Sequence, residues 1–327
     1  MIKIDHLVKH FGDKKAVNDI SFTVAKGEIV GFLGPNGAGK STTMNILTGY
    51  LSSTSGSALI DGIDILESPM EAKKLIGFLP ELPPLYLDMT VEEYLKFVYD
   101  LKDCKLNRKK HLAEICEVVK ITHVYKRMIK NLSKGYKQRV GIAQALIGNP
   151  KVIIFDEPTI GLDPQQIIEI RNLIRNLGKD HTVILSTHIL PEAQAVCDRI
   201  IIINEGKVVA DEKRENLSNL IQGNRRFEVQ ICGPQKDVQS ALKSLQGISK
   251  VEYLGQSDLE SNSFMIESEP GVDIRKTLFY ALAKNNWPLI GIETMGATLE
   301  DIFISLVGAN KKTDKTQKSK KKQEGVK

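Results

Sequence analysis

No uninterrupted apolar run in this 327-residue chain approaches the ~18–20 residues a helix needs to cross a bilayer, so no membrane span is expected. The opening Met1-Ile2-Lys3-Ile4-Asp5 has no basic stretch followed by an apolar one, so no secretory leader is expected either. Cysteine is sparse: Cys104, Cys116, Cys197 and Cys232 stand far apart, without the spacing of a metal site. They are expected as small buried or half-buried residues of a reducing compartment, which places the protein in the cytoplasm. The body of the chain lacks a charge excess too. The formal net charge is +5, but Lys311 to Lys327 holds eight lysines against Asp314 and Glu324, a net +6 that leaves −1 for the rest. The basic character belongs to a tail, and no nucleic-acid partner is expected. That tail, 309–327, has almost no apolar residues and is expected to be disordered, a solvated end rather than a patch on anionic lipid.

What is present is a 42% apolar composition, enough for the core of two domains or of one with an appendage. The stretch Gly34-Pro35-Asn36-Gly37-Ala38-Gly39-Lys40-Ser41-Thr42 fits G-x-x-x-x-G-K-[ST] at every fixed position. Its glycines let successive backbone N–H groups turn inward as an anion nest. Lys40 is placed to reach β- and γ-phosphates, and the Ser41 hydroxyl to ligate Mg²⁺. Ile29–Leu33 reads as a buried strand entering the loop and Thr43–Leu47 as a helix leaving it. The helix N-terminus adds partial positive charge. A phosphate loop in this setting means a nucleoside triphosphatase or a kinase.

Upstream, residues 2–11 read as a strand ending at Phe11, and Ser21–Val24 as a second. Phe11 is either a platform for a nucleotide base or, on local evidence alone, a strand-end core aromatic. Residues 54–65 read as turn, strand, turn, strand, and Lys74–Glu81 as a strand ending at Pro80. Residues 82–89 form an apolar, proline-rich loop, either a contact surface or a loop tucked on the core. Thr90-x-x-Glu93 is a capping box for a helix with Val91, Tyr94, Leu95, Val98 and Leu101 on its apolar face. A second helix over about 107–120 buries Leu112, Ile115, Cys116 and Val119. Leu132-Ser133-Lys134-Gly135-Tyr136-Lys137-Gln138 leads into a helix over 140–147. Ser133 and Gly135 sit where a helix starts, which suits either a second anion site or an ordinary cap.

Val152–Phe155 followed by Asp156 and Glu157 reads as a buried parallel strand with acids at its C-terminal end, where α/β proteins bind ligands. With a phosphate loop present, Asp156 suits Mg²⁺, directly or through water, and Glu157 suits polarising an attacking water. Gly161-Leu162-Asp163-Pro164 is a turn before a helix carrying Ile167, Ile170, Ile174 and Leu177 on one face. Thr182–Thr187 is another buried strand, ending at His188, a surface histidine or one more polar group at the same sheet edge. Residues 199–211 form a hairpin turning at Asn204-Glu205-Gly206.

The order of these motifs resembles the nucleotide-binding subunit of ATP-binding-cassette (ABC) transporters over roughly residues 1–222. The resemblance implies an α/β fold: a cassette with a parallel-sheet core, an antiparallel β subdomain and a helical subdomain at about 82–147. It further implies ATP and Mg²⁺ as cofactors. Two subunits pair head to tail, with ATP between Gly34–Thr42 of one chain and the signature Leu132–Gln138 of the other. By the same resemblance Phe11 stacks on adenine, Glu157 is the general base, His188 contacts the γ-phosphate and Asp163 communicates across the dimer. A transmembrane permease docks near 82–103, which puts the subunit on the cytoplasmic face of the membrane. Two departures stand out. Lys134 and Tyr136-Lys137 replace the commonest Gly and Gln of the signature. Glu81 stands where a glutamine usually senses Mg²⁺ and the membrane partner.

Residues 226–293 read as βαββαβ, a ferredoxin-like module. An accessory domain is expected over 225–308, with a last helix from Thr298 burying Leu299, Ile302, Phe303 and Leu306. The Thr298–Phe303 element, with Leu79-Pro80-Glu81, resembles the subfamily that exports drugs, lipids, polysaccharides or gliding-related cargo. The rival reading is a soluble ABC-type ATPase on ribosomes or DNA. Those usually carry two cassettes or a long coiled-coil insert, and neither is found here. A small-molecule phosphoryl transferase leaves Leu132–Gln138 unexplained.

Overall fold

The computed structural model describes residues 1–216, 226–258, 260–269 and 271–295, in two compact units that divide between Arg214 and Glu215. The expected last helix and the lysine-rich tail lie outside the described residues.

The first unit opens with β1 (Ile2–Phe11) and β2 (Lys14–Val24), paired antiparallel with Phe11 opposite Lys14. The second strand is longer than its apolar end suggested, because residues 14–20 are held by pairing. β3 (Ile29–Leu33) is buried at every residue and leads to α1 (Lys40–Leu47). Next come β4 (Ser55–Ile60), β5 (Ile63–Asp64), α2 (Pro69–Lys74) and β6 (Ile76–Leu79). Strands β1, β2, β4 and β5 make a four-stranded antiparallel sheet in the order β2-β1-β4-β5.

The helical insert follows as α3 (Val91–Leu101), α4 (Arg108–Val118) and α5 (Lys134–Leu146). The capping box of α3 forms: Thr90 accepts from Glu93 N, and the Glu93 carboxylate accepts from Thr90 N at 2.8 Å. Its apolar face differs at one position. Leu101 is 71% exposed, and Tyr99 is buried instead. Tyr99 is covered by the segment entering α4, where its hydroxyl donates to the Leu106 carbonyl and its ring lies 6.5 Å from that of His111. His111 Nε2 accepts from Gly148 N at 3.0 Å, and burial lowers the pKa of this imidazole. Lys102 ties α3 to the end of α5, donating to the carbonyls of Gln144 and Ile147 at 3.1 and 3.0 Å.

The core sheet is completed by β7 (Val152–Asp156), β8 (Thr182–Thr187), β9 (Arg199–Asn204) and β10 (Lys207–Lys213). Helices α6 (Pro164–Leu177) and α7 (Leu190–Val196) stand between them in sequence. Its order is β10-β9-β3-β8-β7-β6, parallel except for the edge strand β10. β3, β7 and β8 are wholly buried, which is why each carries a run of consecutive apolar residues, Val152–Phe155 in β7 and Val183–Leu185 in β8, rather than an alternation. Their C-terminal ends bring Gly34, Asp156, Glu157 and His188 to one edge. Burial raises the thiol pKa of Cys116 to about 11 and that of Cys197 further, so both serve as small apolar residues.

In the second unit β11 (Arg226–Cys232), α8 (Gln235–Ser244), β12 (Ile248–Asp258), β13 (Ser261–Ser268), α9 (Arg275–Lys284) and β14 (Leu289–Met295) form the βαββαβ unit. The sheet is antiparallel in the order β12-β13-β11-β14, the ferredoxin-like arrangement. Phe227, Val229, Ile231, Phe264 and Ile266 pack on Val238 and Leu242 of α8 and Leu278 and Leu282 of α9.

Candidate functional site

The phosphate loop fits its surroundings closely enough to require its glycines. A Cβ on Gly34 would run into the Ile203 carbonyl. Gly39 has φ 106°, and a Cβ there would meet the Ala16 carbonyl. Lys40 is only 5% exposed. Its Nζ donates to Gly34 O at 2.8 Å and Pro35 O at 3.2 Å, and lies 3.3 Å from Glu157 Oε1. Ser41 and Thr42 are half-buried in the first turn of α1.

The acids at the end of β7 are not solvated: Asp156 is 4% exposed and Glu157 6%. Ser186 at the end of β8 ties them together. Its hydroxyl donates to Asp156 Oδ1 and accepts from Glu157 N at 3.0 Å. Glu157 has φ 49°, a left-handed conformation that costs a non-glycine residue of order 1–3 kcal/mol and is held only where its surroundings require it. His188 Nδ1 lies 3.0 Å from Glu157 Oε2, so this histidine joins the cluster rather than standing apart on the surface. One buried carboxylate thus sits between the Lys40 ammonium and the His188 imidazole.

A cavity of about 490 Å³ opens above the loop. Phe11, Asn36, Gly37, Gly39, Lys40, Ser41, Thr42, Glu81 and Glu157 line it, all of them expected from the sequence. Gly34 and Ala38 are buried beneath the loop, and Pro35 is half-buried. Phe11 is 49% exposed with Lys9 Nζ 5.3 Å from its ring centroid, which corrects the local reading of a core aromatic. Three lining residues were not anticipated: Lys14, Ala16 and Ile160. Lys14 is brought beside Phe11 by the β1–β2 register, for which the sequence carries no local signal.

The signature forms a second cavity of about 390 Å³ that shares no lining residue with the first. Ser133 caps α5, accepting from Tyr136 N, so the helix starts at Lys134 rather than at Val140. A Cβ on Gly135 would come within 2.6 Å of the Gln166 side chain. Asp163 caps α6 by accepting from Gln166 N at 2.9 Å and lines this cavity with Ser133, Gly135 and Tyr136. The Tyr136 hydroxyl is 2.9 Å from His123 Nε2. A Cβ on Gly161 would collide with the Lys134 ammonium, so that side chain lies over the turn before Asp163. Lys137 is half-buried on the same helix. Two signature residues turn inward. Leu132 is 6% exposed, and Gln138 is 5% exposed, with Nε2 donating to Pro158 O at 2.8 Å. Gln138 stands five residues past the cap, on another side of the helix from Ser133, and its amide N–H is engaged within its own chain.

A family model described as ABC transporter matches residues 17–160. The chain is 34% identical to the bacitracin transport ATP-binding protein BcrA of Bacillus licheniformis, over 94% of this chain and 97% of that protein. It is 32% identical to the linearmycin resistance ATP-binding protein LnrL of Bacillus subtilis, over 94% and 98%. It is 38% identical to the lantibiotic transport ATP-binding protein SrtF of Streptococcus pyogenes, over 70% and 99%. Among solved structures, the dimeric cassette MJ0796 superposes with a TM-score of 0.60 at 30% identity, covering 65% of this chain and 99% of that one. The same cassette in a post-hydrolysis dimer bound to ADP and Pi gives a TM-score of 0.60 at 29% identity, with the same coverage.

Proposed function

The chain belongs to the ATP-binding proteins of ABC transporters and couples ATP hydrolysis to transport, and we propose that it does so as the energising subunit of an exporter. The observation that carries the reading is the buried Glu157 carboxylate held between Lys40 and His188 at the rim of the phosphate-loop cavity. In the 34–42 loop Pro35 has no N–H and those of Gly34 and Ala38 donate to the Thr187 and Pro35 carbonyls, so the remaining backbone N–H groups cradle the ATP phosphates, and the exposed Phe11 ring stacks on adenine. Glu157 polarises the attacking water, while His188 orients that carboxylate and reaches toward the γ-phosphate.

Ser41, Asp156 and Glu81 offer a hydroxyl and two carboxylates, hard oxygen donors suited to Mg²⁺. Among the described residues no three His, Cys, Asp or Glu side chains could hold a metal together. One or two carboxylates completed by substrate phosphates is the setting in which Mg²⁺ usually binds. The ion would neutralise charge on the phosphates. Glu81 adds a carboxylate near them, so Glu81→Gln should shift the Mg²⁺ dependence of hydrolysis. An unchanged Mg²⁺ titration would sink that role.

Each chain carries a phosphate-loop cavity and a separate signature cavity, so a head-to-tail homodimer completes two ATP sites. Ser133 and Gly135 face the partner's ATP, with Lys134, Tyr136 and Lys137 around them, and Asp163 links the two sites. The ATP-binding domain is assigned to 1–222 and an accessory, dimer-stabilising or regulatory domain to 225–308.

The transmembrane partner docks at 82–103 on the cytoplasmic side. Leu82 is 81% exposed there, and Tyr86, Leu87 and Phe97 are also exposed, with Tyr86 set edge-on against Tyr94 and Phe97. No helix among the described residues is long and apolar enough to cross a membrane. The relatives' names favour antibiotics as cargo over lipid, polysaccharide or gliding-related material. They name transport and resistance proteins, which gives the ribosome or DNA reading no support. The test is co-purification of the Glu157→Gln chain with ATP from detergent-solubilised membranes. A multispanning protein in stoichiometric amount is expected. Ribosomal or DNA-repair proteins with no membrane partner would overturn the exporter reading.

A further inference from the structure

The two residues after Glu157 are held by buried side chains that have no part in the reaction scheme above. The Pro158 carbonyl accepts from Gln138 Nε2 of α5 at 2.8 Å. The Thr159 hydroxyl donates to the Glu192 carboxylate of α7, and Glu192 Oε1 lies 3.5 Å from Arg171 Nη2 of α6. Gln138 and Glu192 are 5% exposed and Thr159 7%. Two helices, α5 and α7, therefore hold this turn directly, and α6 reaches it through Arg171 and Glu192. Each begins at a motif of the ATP sites: α5 at Ser133, α6 at Asp163, and α7 two residues beyond His188.

We propose that Gln138, Thr159 and Glu192 are positioning residues that clamp the 157–159 turn, hold Glu157 in its left-handed conformation and couple its carboxylate to the starts of these helices. A helix moves as a rigid rod. A shift of α5 or α6 at its N-terminal end, where the signature and Asp163 lie, is delivered at Pro158 and Thr159. There it acts on a carboxylate whose φ of 49° is not self-sustaining.

The proposal takes Glu157 as the general base, which Glu157→Gln tests by itself. The clamp is tested in the full chain with Thr159→Val, which keeps the shape and removes the hydroxyl, and Thr159→Ser, which keeps the hydroxyl. Thr159→Val is expected to lower kcat for ATP hydrolysis about tenfold, the effect of one hydrogen bond felt in the transition state, with ATP affinity unchanged. Thr159→Ser should restore most of the loss. In a Glu157→Gln background Thr159→Val should have no further effect, because its route to the reaction is gone. Gln138→Met, similar in size but without the donor, gives the same reading should Thr159→Val fold poorly. An unchanged kcat in both Thr159→Val and Gln138→Met would overturn the clamp. So would equal losses in Thr159→Val and Thr159→Ser, or an undiminished Thr159→Val effect when Glu157 is already glutamine.

Discussion

Replacing Glu157 by glutamine is expected to cut ATP hydrolysis by ~10²–10⁴ while leaving ATP binding near wild type. The amide keeps the volume and the backbone, so the turn, the Ser186 bond to Glu157 N and the neighbouring phosphate loop have no reason to move. What disappears is the negative carboxylate that Lys40 at 3.3 Å and His188 at 3.0 Å are arranged around. ATP contacts made by the loop N–H groups do not pass through this side chain, so affinity and turnover should separate. The measurement pairs steady-state hydrolysis with equilibrium binding of a labelled nucleotide. Turnover near wild type would remove Glu157 as the base. A parallel loss of affinity would mean the residue shapes the binding site instead.

The parts of this site that sequence could show are those set by local chemistry. β3, β7 and β8 are buried on both faces and show as consecutive apolar residues without alternation, and the motif residues stand at or just past their C-terminal ends. Thr90 and Asp163 announce helix starts because a cap is a contact between a side chain and the backbone three residues on, whereas the start at Ser133 shares its residues with a candidate anion site. The turn at Glu205-Gly206 shows through Gly206, which takes φ 74° at no cost, while the φ of 48° at Glu205 is imposed by the hairpin. What stayed hidden depends on contacts between distant segments. Lys14 and Ala16 reach the nucleotide cavity through strand register, and Tyr99 is buried because α4 covers it. Gln138 belongs to a known motif, yet its direction comes from helix phase and from where Pro158 happens to lie. The left-handed backbone at Glu157 has no signature in a residue name.

Lys40→Met is expected to destabilise the protein in the absence of nucleotide, and Glu157→Gln in the same chain to return most of that stability. The Lys40 ammonium and the Glu157 carboxylate are 5% and 7% exposed. Breaking a buried pair by removing one partner costs ~3–5 kcal/mol, because the other charge is left uncompensated in a poorly solvating place. Methionine fills much the same volume, so a cavity contributes little. His188 remains beside Glu157, which should hold the loss toward the lower end of that range. Making Glu157 neutral removes the charge that Lys40 had balanced. A double-mutant cycle on urea unfolding midpoints of the cassette should then show a coupling of ~1–3 kcal/mol. ATP affinity should behave differently. It falls in Lys40→Met and does not recover in the double variant, because the phosphates still lack the ammonium, a charged contact of ~1.5–3 kcal/mol. Additive stability losses would mean that the Gly34 and Pro35 carbonyls already satisfy the ammonium and His188 the carboxylate. The ion pair would then have no stabilising role, and Lys40 would be kept for the phosphates alone.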